Sequence, residues 1–269
     1  MSFLNSFLIP LSSSSLFDDI KSYEKQNKTN IIFLIDYTWD KLPFNDRFEN
    51  NKYRYYIMSI DNHKLFLEKI NWIQMYSKNK DLDIIYHTHG GSVMSSDIIS
   101  NLLLNYPQNV RSHIPCICQS AGTLLALSSK EMYMNFYSLL GPVDPQLSYQ
   151  SINTEYDKTS SRCLIKLKEK KSVNGIDDSI LIKIIESELF HNDGIETIKS
   201  ILNKRSPNMT KDNIEKVCEI LCSGKYPHHK PLNRNKIEEM GIKVTGSISP
   251  QICNLFNELC VLKKDLKFI

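Results

Sequence analysis

The spacing of apolar residues changes from one stretch of the chain to the next, and each spacing predicts an element. Residues 30–36 (NIIFLID) are apolar almost throughout, the pattern of a short strand covered on both faces. Residues 82–86 (LDIIY), 110–118 (VRSHIPCIC) and 131–135 read as further strands. Between them, Leu65, Leu67, Ile70, Ile73 and Met75 recur at helical spacing within 61–78, and 94–105 does the same up to Pro107. Residues 122–129 are small and apolar, as in a buried helix. Strand and helix in alternation predict an α/β fold, a parallel sheet with crossover helices.

The second half changes character. Helical spacing appears at 180–190, 195–202, 211–221 and 233–241, with a short strand expected at 242–244 and a last helix at 250–262. Thr210, with Asn213 three residues on, makes half of a capping box. With no internal repeat and no long linker, one domain is expected over 1–269. It divides into a weakly patterned segment at 1–29, a sheet-rich core at 30–150 and a mainly helical part at 151–269.

Composition narrows the class. Hydrophobic residues make up 41% and charged residues 23%, enough apolar material for a core. Only nine of 269 residues are glycine, which excludes collagen-like and Gly/Pro-rich disordered chains. Each remaining glycine is correspondingly informative. The net charge is +3, from 33 basic and 30 acidic residues. With no basic stripe interleaved with aromatics, no nucleic-acid partner is expected. The densest basic run, IKLKEKK at 165–171, reads as a solvated helix face or loop. The seven cysteines show neither C-x-x-C nor zinc spacing with histidine, so free thiols in a reducing compartment are expected and a metal is not. No apolar run approaches the roughly 18 residues of a membrane span. The opening residues lack a basic start and are interrupted by Asn5 and Pro10, so a soluble cytoplasmic protein is expected.

Four stretches can carry chemistry. The first, HTHGGSV at 87–93, places Gly90 and Gly91 between a strand and a helix. Backbone N–H groups there can meet negative charge, although a plain tight turn explains two glycines equally well. His87 and His89 can share one strand face as metal ligands do, but no third ligand lies near. The second, QSAGT at 119–123, sets Ser120 at a strand-to-helix junction, either as a nucleophile or as a helix N-cap. It is not a G-x-S-x-G elbow. The third, SLLGPVDPQ at 138–146, holds Asp144 in a stiff turn or simply forms an Asp-Pro turn. The fourth, SGKYPHHKPL at 223–232, offers His228 and His229 as a base or as exposed loop histidines.

Taken in order, the four stretches give the chain a resemblance to the serine dehydrogenase proteinase family, a branch of the ClpP and signal-peptide-peptidase class, from about residue 31 to 244. The family's H-T-P-G-G stands here as HTHGG at 87–91, and its S-A-G-T is intact at 120–123. Its L-G-P-I-D-P-Q stands as LGPVDPQ at 140–146, and its S-G-x-x-x-H-D-Y-P-I as SGKYPHHKPL at 223–232. His89 therefore replaces a proline of the family pattern, and His229 an aspartate. The resemblance implies a ClpP/crotonase-like spiral of ββα units with a mainly helical C-terminal half. It implies Ser120 as nucleophile and Gly91 with Ala121 as the oxyanion hole, Gly90 shaping the turn. Asp144 stands where ClpP has its histidine and His228 near where ClpP has its aspartate. The expected triad exchanges those roles, with His228 as base and Asp144 orienting it. A lysine base of signal-peptide-peptidase (SppA-like) type is the alternative, with Lys166 and Lys168 in the right region.

The implied activity is that of an ATP-independent serine peptidase acting on peptide or protein substrates, without cofactor and as a homo-oligomer. No G-x-x-x-x-G-K-[ST] stretch occurs in the chain, so energy-dependent unfolding would need a partner. The other readings are a catalytically impaired ClpP-fold homologue serving as a binding or scaffold protein, and a crotonase-type acyl-CoA enzyme.

Overall fold

The chain enters through helix α1 (Ser13–Asn27) and strand β1 (Thr29–Ile35), followed by β2 (Ile57–Met58) and α2 (His63–Tyr76). These belong to a computed structural model that describes residues 13–35, 57–151, 154–224, 226–228 and 230–265. Three turns of a spiral come next. The first is β3 (Asp81–His87), a single bridge from Thr88 to Cys118, and α3 (Val93–Leu104). The second is β4 (Val110–Ile114), β5 (Ile117–Cys118) and α4 (Ala121–Leu127). The third is β6 (Glu131–Met134) and β7 (Leu139–Leu140), then a hairpin of β8 (Gln146–Ser151) and β9 (Thr154–Ser160), then α5 (Ser161–Lys170). A 3-10 turn (Val173–Gly175) leads to α6 (Asp178–Arg205) and α7 (Lys211–Cys222). The chain ends with β10 (Leu232–Asn233), α8 (Arg234–Glu239) and α9 (Pro250–Asp265).

Each turn gives one strand to a five-stranded parallel sheet, ordered β2-β1-β3-β4-β6, and then steps to a smaller layer, ordered β10-β7-β5. Pro115 makes the step in the second turn. It has no N–H to donate, so it cannot continue a ladder. For that reason the single strand expected over 110–118 is two strands in two sheets. The outcome is the expected spiral of ββα units.

The parallel strands are buried on both faces, which accounts for the apolar runs of β1 and of residues 84–86 in β3. Ile31, Phe33 and Ile35 pack with Leu16 and Ile20 of α1 and Ile252 and Leu255 of α9. Ile32 and Leu34 face the other way, into the core formed with α2, α3, α4 and the second half of the chain. One buried charge network crosses the sheet. Asp83, fully buried, takes hydrogen bonds from Tyr23 Oη at 3.0 Å and Arg111 Nε at 2.6 Å, and lies 2.9 Å from His113 Nε2. Burial opposes its ionisation, yet the hydrogen bonds from His113 and Arg111 prevail and hold its carboxyl down at about 2.

Three expectations are corrected. Residues 242–244 form no strand, because Met132 N–H bonds to the Thr245 Oγ1 side chain. Backbone pairing with β6 begins only at Thr245, whose N–H donates to the Met132 carbonyl at 2.7 Å, and continues at Gly246, whose carbonyl accepts from Met134 N at 3.0 Å. The segments 180–190 and 195–202 are one continuous helix, α6, which runs through Gly194. Residues 13–27 are helical, with Leu16, Ile20 and Tyr23 one turn apart facing the sheet. Helix α5 carries the basic run and shows Lys166, Lys168 and Lys170 to solvent. Among the described residues no helix is long and apolar enough to cross a membrane.

Candidate active site

Ser120 stands where the second turn of the spiral meets α4. Gln119 N–H bonds to the Thr88 carbonyl at 2.9 Å, and Thr88 N–H to the Ile117 carbonyl at 3.1 Å, which ties β5 to the end of β3. Ser120 occupies the N-cap position of α4 with φ +52° and ψ −122°, a backbone state that costs an L residue on the order of 1–3 kcal/mol. Its carbonyl starts the helix by accepting from Thr123 N at 2.8 Å. Its side chain makes no capping bond. The N-cap reading of this serine is thereby set aside, because the hydroxyl is not used to hold the helix.

The glycine turn lies against it. Thr88 Oγ1 accepts the Gly90 N–H at 3.0 Å and donates to the Gly90 carbonyl at 3.1 Å. Gly90 has φ +127°, and a Cβ there would fall 2.9 Å from Ser120 Cβ and 3.3 Å from Ser120 Oγ. On Gly91 a Cβ would meet Asp61 Oδ1 at 2.8 Å, and that same oxygen accepts the Ser92 N–H at 2.6 Å. His87 and His89 part company here because β3 ends at His87. The His87 ring packs on Phe256 with centroids 5.3 Å apart, while His89 Nδ1 lies 2.9 Å from Gln119 Oε1 at the cleft. The shared ligand face considered for them does not exist. Among the described residues no group of three or more His, Cys, Asp or Glu is placed to hold a metal.

Asp144 is 1% exposed, on a turn pinned at both ends. Val143 N–H bonds to the Leu221 carbonyl at 2.8 Å, and Ser161 N–H to the Pro145 carbonyl at 2.9 Å. The loop after α7 brings His228 onto this carboxylate, with Nδ1 to Oδ1 at 2.8 Å. The Oδ2 atom takes a hydrogen bond from Gln146 Nε2 at 2.9 Å. Two features place that loop. Gly224, at φ +64°, lets the backbone lie against Arg162, and β10 pairs with β7 through Leu232 and Leu140. Thr123 joins the serine and aspartate segments. Its Oγ1 is 2.9 Å from both the Cys118 and Gly141 carbonyls and 3.2 Å from Gly141 N.

Ser120, Ala121, Gly90, Gly91 and His228 line one cleft of about 860 Å³. Val93, Leu124, Val143 and Phe190 form its apolar walls. The structure thus brings together residues from all four sequence stretches. It does not bring the lysines: Lys166 is exposed on α5 and not part of the lining, and Lys168 pairs with Glu188 at 3.0 Å. His229 lies outside the described residues. Sequence reasoning missed Gln146, although it closes the stretch that carries Asp144. It also missed Phe190 and Asp193, whose apolar-then-acidic spacing on α6 reads as an ordinary helix face.

The chain is similar to proteins already known. The sequence model of the family described as ClpP-like SDH-type serine proteinase matches residues 18–264. Two uncharacterized proteins of Methanocaldococcus jannaschii are 27% and 24% identical to the chain over 188 residues, 70% of its length. The chain spans 62% and 60% of those two relatives. Among solved structures, a serine-to-alanine variant of a membrane-bound stomatin-specific protease has a TM-score of 0.48 at 15% identity, over 71% of this chain and 74% of that one. A lysine-to-alanine variant of that protease with a substrate peptide has a TM-score of 0.46 at 17% identity, covering 70% of each chain.

Proposed function

The chain belongs to the family of ClpP-like SDH-type serine proteinases, and from that membership we propose that it is a serine peptidase cleaving peptide bonds through an acyl-enzyme on Ser120, without ATP. The observation that carries the reading is the contact of His228 Nδ1 with the buried Asp144 carboxylate at 2.8 Å, in a cleft that also holds Ser120. A carboxylate on Nδ1 fixes the tautomer in which Nε2 carries no proton and can act as a base. The peptide carbonyl is seated against the N–H groups of Gly91 and Ala121. Ala121 begins a helix, where backbone N–H groups lack intrahelical acceptors.

In the first step the Ser120 Oγ–carbon bond forms while His228 Nε2 takes the hydroxyl proton. Charge that develops on the carbonyl oxygen is met by the two N–H groups, a contribution typically of a few kcal/mol per donor. Collapse breaks the C–N bond, and the His228 proton passes to the leaving amine. Water then attacks the acyl carbon as His228 takes its proton; collapse breaks the Oγ–carbon bond, His228 returns the proton to Oγ, and the product acid leaves with Ser120 restored. Asp144 holds the imidazole through Nδ1 and stabilises the imidazolium. Gln146 holds the second oxygen of Asp144.

Peptide or protein substrates, a homo-oligomeric working form and a cytoplasmic setting belong to the same proposal. The experiment for the chemistry is labelling by a fluorophosphonate. Wild-type protein is expected to label at Ser120, and both Ser120→Ala and His228→Ala to lose the label. Undiminished labelling of His228→Ala overturns His228 as the base. Acyl-CoA binding that survives Ser120→Ala points instead to a crotonase-type enzyme.

A further inference from the structure

The cleft beyond Ser120 is walled by two helices that present the same pair of side-chain types. Helix α3 supplies Val93 and, one turn on, Asp97; helix α6 supplies Phe190 and, one turn on, Asp193. Each helix therefore offers an apolar contact followed by a carboxylate. Asp61 adds a third acid, and none of the described lining residues is lysine or arginine. This is a local feature and not a reflection of composition, since the chain as a whole is basic, at +3.

Asp97 and Asp193 sit close enough to act on each other. Partial burial raises the Asp97 carboxyl above its ordinary range, and the charge of Asp193 raises it further. Among the described residues neither is paired with a lysine or arginine. Some surface acids of the chain are paired, among them Glu188 with Lys168, Glu215 with Lys199 and Glu239 with Lys236. Two like charges held across a cleft without a cation are electrostatically unfavourable until one arrives.

We propose that Asp97 and Asp193 select substrates carrying a lysine or arginine side chain near the scissile bond. The proposal rests on the reading of the cleft as a peptidase site. The layout fits the chemistry of such a side chain, which has an aliphatic stem and a charged tip. The stem lies between Val93 and Phe190, and the tip reaches the two carboxylates. The Phe190 ring also favours a cation beside it.

The test separates binding from chemistry. Ser120→Ala protein, which cannot turn over, is titrated with fluorescent ten-residue peptides differing only at a central Lys, Leu or Glu, and anisotropy is read. The Lys peptide is expected to bind tightest, roughly tenfold or more ahead of Leu, because hydrogen bonds to charged groups are the stronger kind. Its advantage should shrink with added salt. Replacing Asp193 by Asn in that background, at an exposed position that disturbs no core, should remove most of the preference. The Asp97→Asn, Asp193→Asn pair should remove the rest, and Asp193→Lys should turn it towards Glu. Equal binding of Lys and Leu peptides overturns the proposal, as does a Lys preference unchanged in the doubly substituted protein. Fluorophosphonate labelling of the wild-type protein reports separately on the peptidase reading. Failure of the wild type to label, while the Ser120→Ala protein still prefers the Lys peptide, overturns that reading and leaves the binding assignment standing.

Discussion

Gly90 and Ser120 are in direct contact across the cleft, so close that a methyl group on Gly90 would lie 2.9 Å from Ser120 Cβ. The Gly90 φ of +127° adds a second obstacle to any side chain. Gly90→Ala should therefore displace the turn that presents Gly91, or push Ser120 from its position. A fall in kcat/KM of at least about a hundredfold is expected, the scale of losing one oxyanion donor. Peptide hydrolysis by the variant measures it, and a circular dichroism spectrum equal to wild type shows that the fold survives.

Asp144→Asn is the sharpest test of the orienting role. The amide keeps the shape of the carboxylate but can offer Nδ1 of His228 a donor in place of an acceptor, which selects the wrong tautomer. Activity should fall by about 10⁴ in kcat with little change in KM. A drop of less than about tenfold would mean that Asp144 serves the turn and not the imidazole.

Lys166→Ala should leave the rate within about twofold of wild type. Lys166 is exposed on α5 and does not line the cleft, and surface substitutions of this kind are usually worth less than about 0.5 kcal/mol. Loss of activity in this variant with His228→Ala still active would restore the lysine-base alternative.

Acid should unfold the protein partly through Asp83. Its folded-state carboxyl is held at about 2, below its ordinary 3.8, so the unfolded chain binds more protons between those values. The stabilisation is fully present above the ordinary carboxylate range and is lost as pH falls from about 4 towards 2. Its size is on the order of 2–3 kcal/mol. Asp83→Asn should flatten that part of the stability–pH curve in denaturant titrations. It should also cost roughly 3–5 kcal/mol at neutral pH, because Arg111 and His113 lose their buried partner.

The parts of the fold legible from the residues were those with one consistent period. Strands β1 and β3 are buried on both faces and apolar along their centres but for Asp83, and α2 and α7 have clean stripes, so all four are legible within a few residues. Thr210 caps α7 through the Asn213 N–H as its spacing implied. The misses have local causes. Pro115 redirects a single apolar run into two sheets, which no periodicity reports. Thr245 replaces a backbone partner with a hydroxyl, so Ile242 and Val244 are buried without forming a strand. At the site, Ser120, Asp144 and His228 were each individually explicable as a cap, a turn and a loop histidine. What separates the readings is long-range: the missing capping bond of Ser120, and an Asp144–His228 contact between residues 84 positions apart. The roles of Phe190 and Asp193 depend on where α6 crosses α3, which is a packing outcome.

The separation of His228 from its carboxylate also has a meaning in time. Synthesis proceeds from the N-terminus, and a chain extended as far as Cys222 already contains Gly90, Ser120 and Asp144 together with every strand of the larger sheet. It still lacks the imidazole, which arrives only with the loop after α7 and is seated when β10 closes on β7. The nascent chain can thus build its scaffold beside other unfolded polypeptide, its own included, before it acquires the imidazole proposed as the base for Ser120.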